Sequence, residues 1–274
     1  MTAPPTIIDF HTHLDDRWFD RPLMDTRAFL AGLDRCGVRA ACVFTLMGFY
    51  KDCRRHNDLL RERCAAAPER LWPFITVDPK LGPAAVAELE RCIASGRFKG
   101  VKFHPWLQAF APSMVKATIM DILRRAAAAG LPVLFHDGTP PYSTTFQIAA
   151  TARWVPEATV VLGHAGLADY CVPAAQLVRD IPNLYACVCG PRAGDVRHLV
   201  DVAGPDKVLF GSDFGQSDWM ILEDRLDAVR FAGLSEAESE AVLWRNAARL
   251  LNLREGEVPA EPRLMARQEP RPPG

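Results

Sequence analysis

Short runs of β-branched and aromatic residues, each ended by a polar or Gly/Pro break and followed by a helical stretch, recur along nearly the whole chain. That cadence admits few folds, because alternating strands and helices bury their apolar faces in parallel α/β layers. The runs fall at 6–10, 39–46, 71–77, 98–103, 132–136, 158–163, 184–189 and 206–211. Helical spacing of apolar residues marks 23–36, 53–66, 83–94, 115–129, 169–180 and 193–203 between them. Eight strand-helix units within roughly 250 residues predict a closed (β/α)8 barrel, an α/β fold in one domain, over an open doubly wound sheet. The region 235–252 opens with Ser235 and Glu238 at capping-box spacing and is expected to be the closing helix. Residues 1–252 are thus assigned to the barrel. Residues 253–274 hold Pro259, Pro262, Pro270, Pro272 and Pro273 among charged residues, and a flexible tail is expected there.

Composition removes several function classes. Thirty-two basic against 33 acidic residues, a net charge of -1, give no global positive field for nucleic acid. No stretch reaches the ~18–20 apolar residues of a membrane span, and MTAPPTIIDF lacks the charge-then-apolar order of a secretory leader, so a cytoplasmic protein is expected. Eight scattered cysteines without a CxxC pair read as mostly buried thiols in a reducing compartment. Cys187 and Cys189 share a strand face; small apolar fillers is the preferred reading over a metal pair.

The histidines carry the functional signal. Five of the seven, His11, His13, His104, His136 and His164, stand at or just past the carboxyl end of a predicted strand, as does Asp213. In parallel α/β folds ligands collect at that edge, where the βα loops open. His56 and His198 fall in helical stretches and are expected at the solvent surface. His11-Thr12-His13 points both imidazoles to one side of its strand, a spacing suited to chelating a zinc-like ion, although an H-x-H pair can equally be two hydrogen-bonded histidines. His136, His164 and Asp213 each follow a run that would be buried, where a polar group is costly without a partner, and a metal ion supplies one.

Read together, IIDFH11TH13, GVK102FH104P, VLFH136DG, VVLGH164AG, VLFGSD213F and the closing RN246AARLLNL resemble the amidohydrolase superfamily over about residues 6–252. The match is to its branch of metal-dependent TIM-barrel hydrolases and non-oxidative decarboxylases related to aminocarboxymuconate-semialdehyde decarboxylase. The resemblance implies that His11, His13, His136 and Asp213 ligate one divalent metal, with His164 as catalytic acid or base, or as a ligand if a second metal binds. Three histidines and a carboxylate suit Zn2+ best and also accommodate Mn2+, Fe2+ or Co2+. Other branches carry a carboxylated lysine near the position of Lys102; this branch does not, so Lys102 and His104 are assigned to the substrate pocket, with a salt bridge inside the barrel as the alternative for Lys102. Homodimers are common among such relatives, and nothing in the chain identifies an interface.

A metal-activated water acting on a small amide, lactone, ester or related carbonyl compound is the first expectation, with Asp213 and His164 handling protons. Decarboxylation of a small unsaturated or aromatic acid is the alternative; Lys102 or Arg192 would then hold the carboxylate, Arg192 reading otherwise as a solvated loop residue. A non-catalytic binding barrel is a third reading, and every assigned ligand position being a competent donor argues against it. Phe49, Tyr50, Trp106, Phe110 and Tyr142 in the βα loops are candidates to line an apolar substrate pocket, or to pack between loops.

Overall fold

The computed structural model describes residues 6–254 apart from Ser217, together with 256 and 257; position 255 and positions 258–274 of the expected tail lie outside the described residues. Eight strands form one sheet: β1 (Ile8–His13), β2 (Ala40–Phe44), β3 (Leu71–Ile75), β4 (Gly100–Phe103), β5 (Val133–Phe135), β6 (Val160–Leu162), β7 (Leu184–Cys187) and β8 (Val208–Leu209). They pair in chain order, all parallel, from Ile8 opposite Ala40 to Leu209 opposite Cys187. Backbone bonds from Phe10 N to the Phe210 carbonyl (2.9 Å) and from His13 N to the Phe214 carbonyl (2.7 Å) close the seam between β1 and the end of β8. The fold is a (β/α)8 TIM barrel in a single domain.

The period-two alternation of each strand divides two cores. Leu134 and Val161 point inward with Phe10, Phe44, Phe74 and Leu209, filling the barrel as a packed interior. Their neighbours Val133, Phe135, Val160 and Leu162 point outward against Phe29, Leu33, Ile119, Ile148 and Leu226 of the surrounding helices. Cys42, Cys187 and Cys189 belong to the interior cluster, and all eight cysteines are free thiols, seven of them buried.

The helices are α1 (Thr26–Arg35), α2 (Cys53–Cys64), α3 (Pro83–Ala94), α4 (Lys116–Ala128), α5 (Thr145–Trp154), α6 (Cys171–Asp180), α7 (Ala193–Ala203) and α8 (Met220–Arg230). Side-chain caps start several: Asp25 accepts from Ala28 N at 2.8 Å, Asp52 from Arg55 N, and Thr144 and Gln147 form a capping box. Ser235 and Glu238 form the expected box, but the closing helix is interrupted by a π turn over Ala241–Arg245. Two helices, α5 and α8, lie outside the stretches of helical spacing. α5 is apolar on much of its circumference, with Ile148, Ala149, Thr151 and Ala152 buried, which blurs its period. α8 follows the long loop after β8, and its start is not marked by a capping side chain. The eighth strand is shorter than expected because Pro205–Lys207 make a 3-10 turn. A two-residue hairpin, Arg17–Trp18 against Arg21–Pro22, is too short to show any strand pattern. His56 and His198 are half-buried, not solvated, because their helices pack on the barrel. Among the described residues no helix is long and apolar enough to cross a membrane.

Candidate metal centre and cavity

β1 carries the H-x-H pair to the rim, and the seam brings the end of β8 beside it. Asp213 N donates to the His11 carbonyl at 2.8 Å, and Asp213 takes a left-handed backbone (φ +65°), a conformation Asp tolerates better than most residues. Gly215 (φ +112°) lets the chain pass over β1: a Cβ there would lie 1.7 Å from the His13 carbonyl oxygen. The outcome is that His13 Nε2 donates to Asp213 Oδ1 at 3.0 Å, with His11 Nε2 3.5 Å from the same oxygen.

Donor atoms of His11, His13 and Asp213 all lie within 4.8 Å of one another, a grouping that could hold a metal ion. The His11 tautomer suits it, and an ion would take the place of the proton that His13 Nε2 shares with Asp213. His11 Nδ1 donates to the Gly163 carbonyl at 2.9 Å, which leaves the Nε2 lone pair facing the centre and fixes the ring, as the second nitrogen of metal-bound histidines commonly does. His136 lines the same cavity with its ring 4.4 Å from that of His164, and its Nε2 shares a 2.8 Å hydrogen bond with Thr139 Oγ1. It is not one of the three tightly grouped donors. Two imidazoles, a carboxylate and His136 close by are a borderline-soft donor set of the kind divalent zinc, manganese, iron or cobalt accept, so the residues fit one ion.

Electrostatics favour neutral rings. Burial, reinforced by the Lys102 charge, holds His11 well below its ordinary value; burial does the same to His104 and His136, and takes His164 down to about 4. Neutral imidazole is the form that ligates metal and accepts protons. Burial would raise the Asp213 carboxyl, but the His13 hydrogen bond and the surrounding imidazoles outweigh it and keep it well below the carboxylate range. Lys102 is fully buried, its Nζ 3.1 Å from His11 Nε2 and 4.9 Å from the Phe44 ring centre, and burial lowers it to about 8.

Three buried aspartates tie the strand ends together. Asp9 accepts from His11 N (3.0 Å) and from Ser212 N (3.1 Å) and Oγ, joining β1 to the residue before Asp213. Asp137 accepts from His164 N (2.7 Å), Gly166 N (2.8 Å) and Thr145 Oγ1 (2.9 Å), joining the ends of β5 and β6. Asp15 accepts from Thr45 Oγ1, Leu46 N and Met47 N and pairs with Arg63 at 3.2 Å, shaping the loop after β2. Burial raises Asp9 to about 7 and Asp137 to about 6. Their signal in the sequence was a carboxylate beside a strand-end histidine, in IIDFH and FHDG.

The cavity holds about 480 Å³. His11, His13, His104, His136, His164 and Asp213 line it, with Trp18, Leu46, Tyr50, Trp106, Leu107, Thr139 and Gln216 around the mouth. His104 stacks on His136 with ring centres 3.8 Å apart and planes at 13°. Of the proposed pocket residues, His104, Tyr50 and Trp106 face the cavity. Phe49 is buried behind His104, its ring 5.4 Å away, and Phe110 packs on Phe103. Tyr142 does not line the cavity, Arg192 is an exposed residue at the start of α7, and Lys102 lies beneath His11. Trp18, from the unread hairpin, and Leu46, Leu107, Thr139 and Gln216 complete the wall; short polar or aliphatic loop residues carry no spacing that would have singled them out.

A barrel whose βα edge gathers histidines and an aspartate around one cavity has the layout of a TIM-barrel enzyme, with donors that could hold a metal ion. The amidohydrolase family model matches residues 8–253, and the chain belongs to that family. No curated protein matches it. Among solved structures, 5-carboxyvanillate decarboxylase of Sphingomonas paucimobilis is 17% identical with a TM-score of 0.72, covering 91% of this chain and 99% of that one. A dihydroxybenzoic acid decarboxylase of Polaromonas with bound manganese and 2-nitroresorcinol is 18% identical (TM-score 0.72; 93% and 99% covered). A protein described as a 2-pyrone-4,6-dicarboxylic acid hydrolase of Acinetobacter baumannii, with bound citric acid, is 16% identical (TM-score 0.68; 90% and 99% covered). At these identities the likeness is one of fold.

Proposed function

We propose that the protein is a metal-dependent hydrolase of a small, uncharged carbonyl compound, an amide, lactone, ester or related substrate. The observation that carries this reading is the cavity wall: it pairs the Asp213 carboxylate with the His164 imidazole, and no Arg or Lys is among the described residues that line it. His11, His13, His136 and Asp213 would hold the ion, zinc by preference. When bound, such an ion polarises a carbonyl and lowers the pKa of a water toward ~7.

The chain's own groups then divide the proton work. His164 Nδ1 donates to the Cys189 carbonyl at 2.7 Å, so Nε2 faces the cavity as an acceptor. It takes a proton from the attacking water or from Asp213, the Cys189 carbonyl steadies the imidazolium, and the same Nε2 returns the proton to the departing atom. Trp18, Tyr50 and Trp106 offer flat aromatic faces, and Leu46 an aliphatic one, to the substrate.

Decarboxylation of a small aromatic acid is the second reading, favoured by the decarboxylases among the fold neighbours and by the aromatic mouth. The test is mass spectrometry of small amides, lactones and aromatic acids incubated with metal-loaded protein. Products heavier by one water support hydrolysis. Loss of carbon dioxide overturns it in favour of the second reading.

A further inference from the structure

The proposed chemistry leaves the Cys189 thiol unused; only the backbone carbonyl of this residue serves, by orienting His164. Its thiol is buried, with 1% of the residue exposed. Cys189 Sγ and one ring nitrogen each of His11 and His164 lie within 4.8 Å of one another, and all three residues are buried. The rings of His11 and His164 are 4.7 Å apart. Because Nδ1 of each ring donates to a backbone carbonyl, both Nε2 atoms keep a lone pair, that of His11 facing Lys102 Nζ at 3.1 Å, which an incoming ion would displace.

We infer that the centre holds a second, softer metal-binding set, His11, His164 and Cys189, that overlaps the first and takes thiophilic divalent ions such as cadmium or excess zinc. A thiolate with two imidazoles is a soft donor set, whereas His11, His13 and Asp213 include a hard carboxylate oxygen. His11 Nε2 has a single lone pair, so it serves one ion at a time and the two sets compete. Occupying the softer set breaks the Cys189 S–H bond, forms a sulfur–metal bond and releases one proton to solvent, with no change of oxidation state. It also engages His164 Nε2, so a soft ion there silences the proton-transfer group of the proposed hydrolase while the fold stays intact.

The decisive experiment titrates cadmium into the metal-free full-length protein, following ultraviolet thiolate-to-cadmium absorption and proton release in weak buffer. The expected result is a thiolate band that saturates with one equivalent and one proton. Cys189→Ala and Cys189→Ser should lose that increment while their seven remaining cysteines give the same background, and His164→Gln should weaken it about tenfold or more. These readouts need no substrate, so their outcome is independent of the reaction the enzyme performs. A wild-type titration without a thiolate band overturns the inference, as does a band that all three variants retain at wild-type affinity. If a Cys189 variant fails to fold, the wild-type band and proton count with His164→Gln still decide it.

Discussion

Lys102 Nζ lies 3.1 Å from His11 Nε2, the nitrogen His11 would offer to a metal. A buried ammonium there donates to the lone pair the ion needs and repels the ion itself, and near the interior such repulsion is worth on the order of several kcal/mol before relaxation. Lys102→Met keeps most of the volume and removes the charge. The variant is expected to bind zinc more tightly, on the order of tenfold, in a chelator competition. Weaker binding would instead make Lys102 a required part of the centre.

Asp9 secures the opposite side of the same ring. Its carboxylate holds His11 N and both polar groups of Ser212 across the seam, so the spacing between the H-x-H pair and Asp213 depends on it. Asp9→Ala is expected to lower metal affinity about 10- to 100-fold, the usual effect of losing a group that orients a ligand. Adding Ser212→Ala should change little further, because both substitutions break one network. Equal, additive losses by equilibrium dialysis would show that the two residues act separately.

Much of this architecture was legible. The strand cadence is a direct print of the two-sided burial of β5 and β6, where Val133, Phe135, Val160 and Leu162 face helices and Leu134 and Val161 face inward. The rim histidines were legible because a polar residue closing an apolar run is costly unless used. Arg192 and Tyr142 fall outside the cavity wall because loop residues take their direction from tertiary packing, not from a local period. Trp18 escaped for the same reason, since the hairpin that delivers it has only two residues per strand.

The two sides of the cavity should separate on mutation. Asp213→Asn removes a charged donor and is expected to cost both metal content and turnover. His164→Asn leaves the grouping of His11, His13 and Asp213 in place, so metal content by elemental analysis should stay near wild type while turnover falls about 10²- to 10⁴-fold. Loss of metal in His164→Asn would make it a ligand of the main site.

The pH dependence of stability follows from the buried titrating groups. His11, His104 and His136 are held well below 6.5 and His164 at about 4, so on unfolding in this range four imidazoles regain their ordinary affinity and take up protons. Asp9 and Asp137 oppose this, since they hold protons up to about 7 and about 6 when folded and release them when unfolded. Four cavity imidazoles against two carboxyls leave the unfolded chain binding about two more protons, and half-buried His56, which burial also lowers, adds to the same side, so stability is present near neutral pH and is lost as pH falls from 6.5 toward 4. Asp213 adds a further loss only below 3.8, and Lys102 acts only above about 8. Urea midpoints of the metal-free protein should therefore drop steadily from about pH 7 to about pH 5, with a slope of about two protons after conversion to free energy. A flat profile would mean that the cavity imidazoles are already charged in the folded chain, and that the neutral donor set on which the metal centre depends is absent.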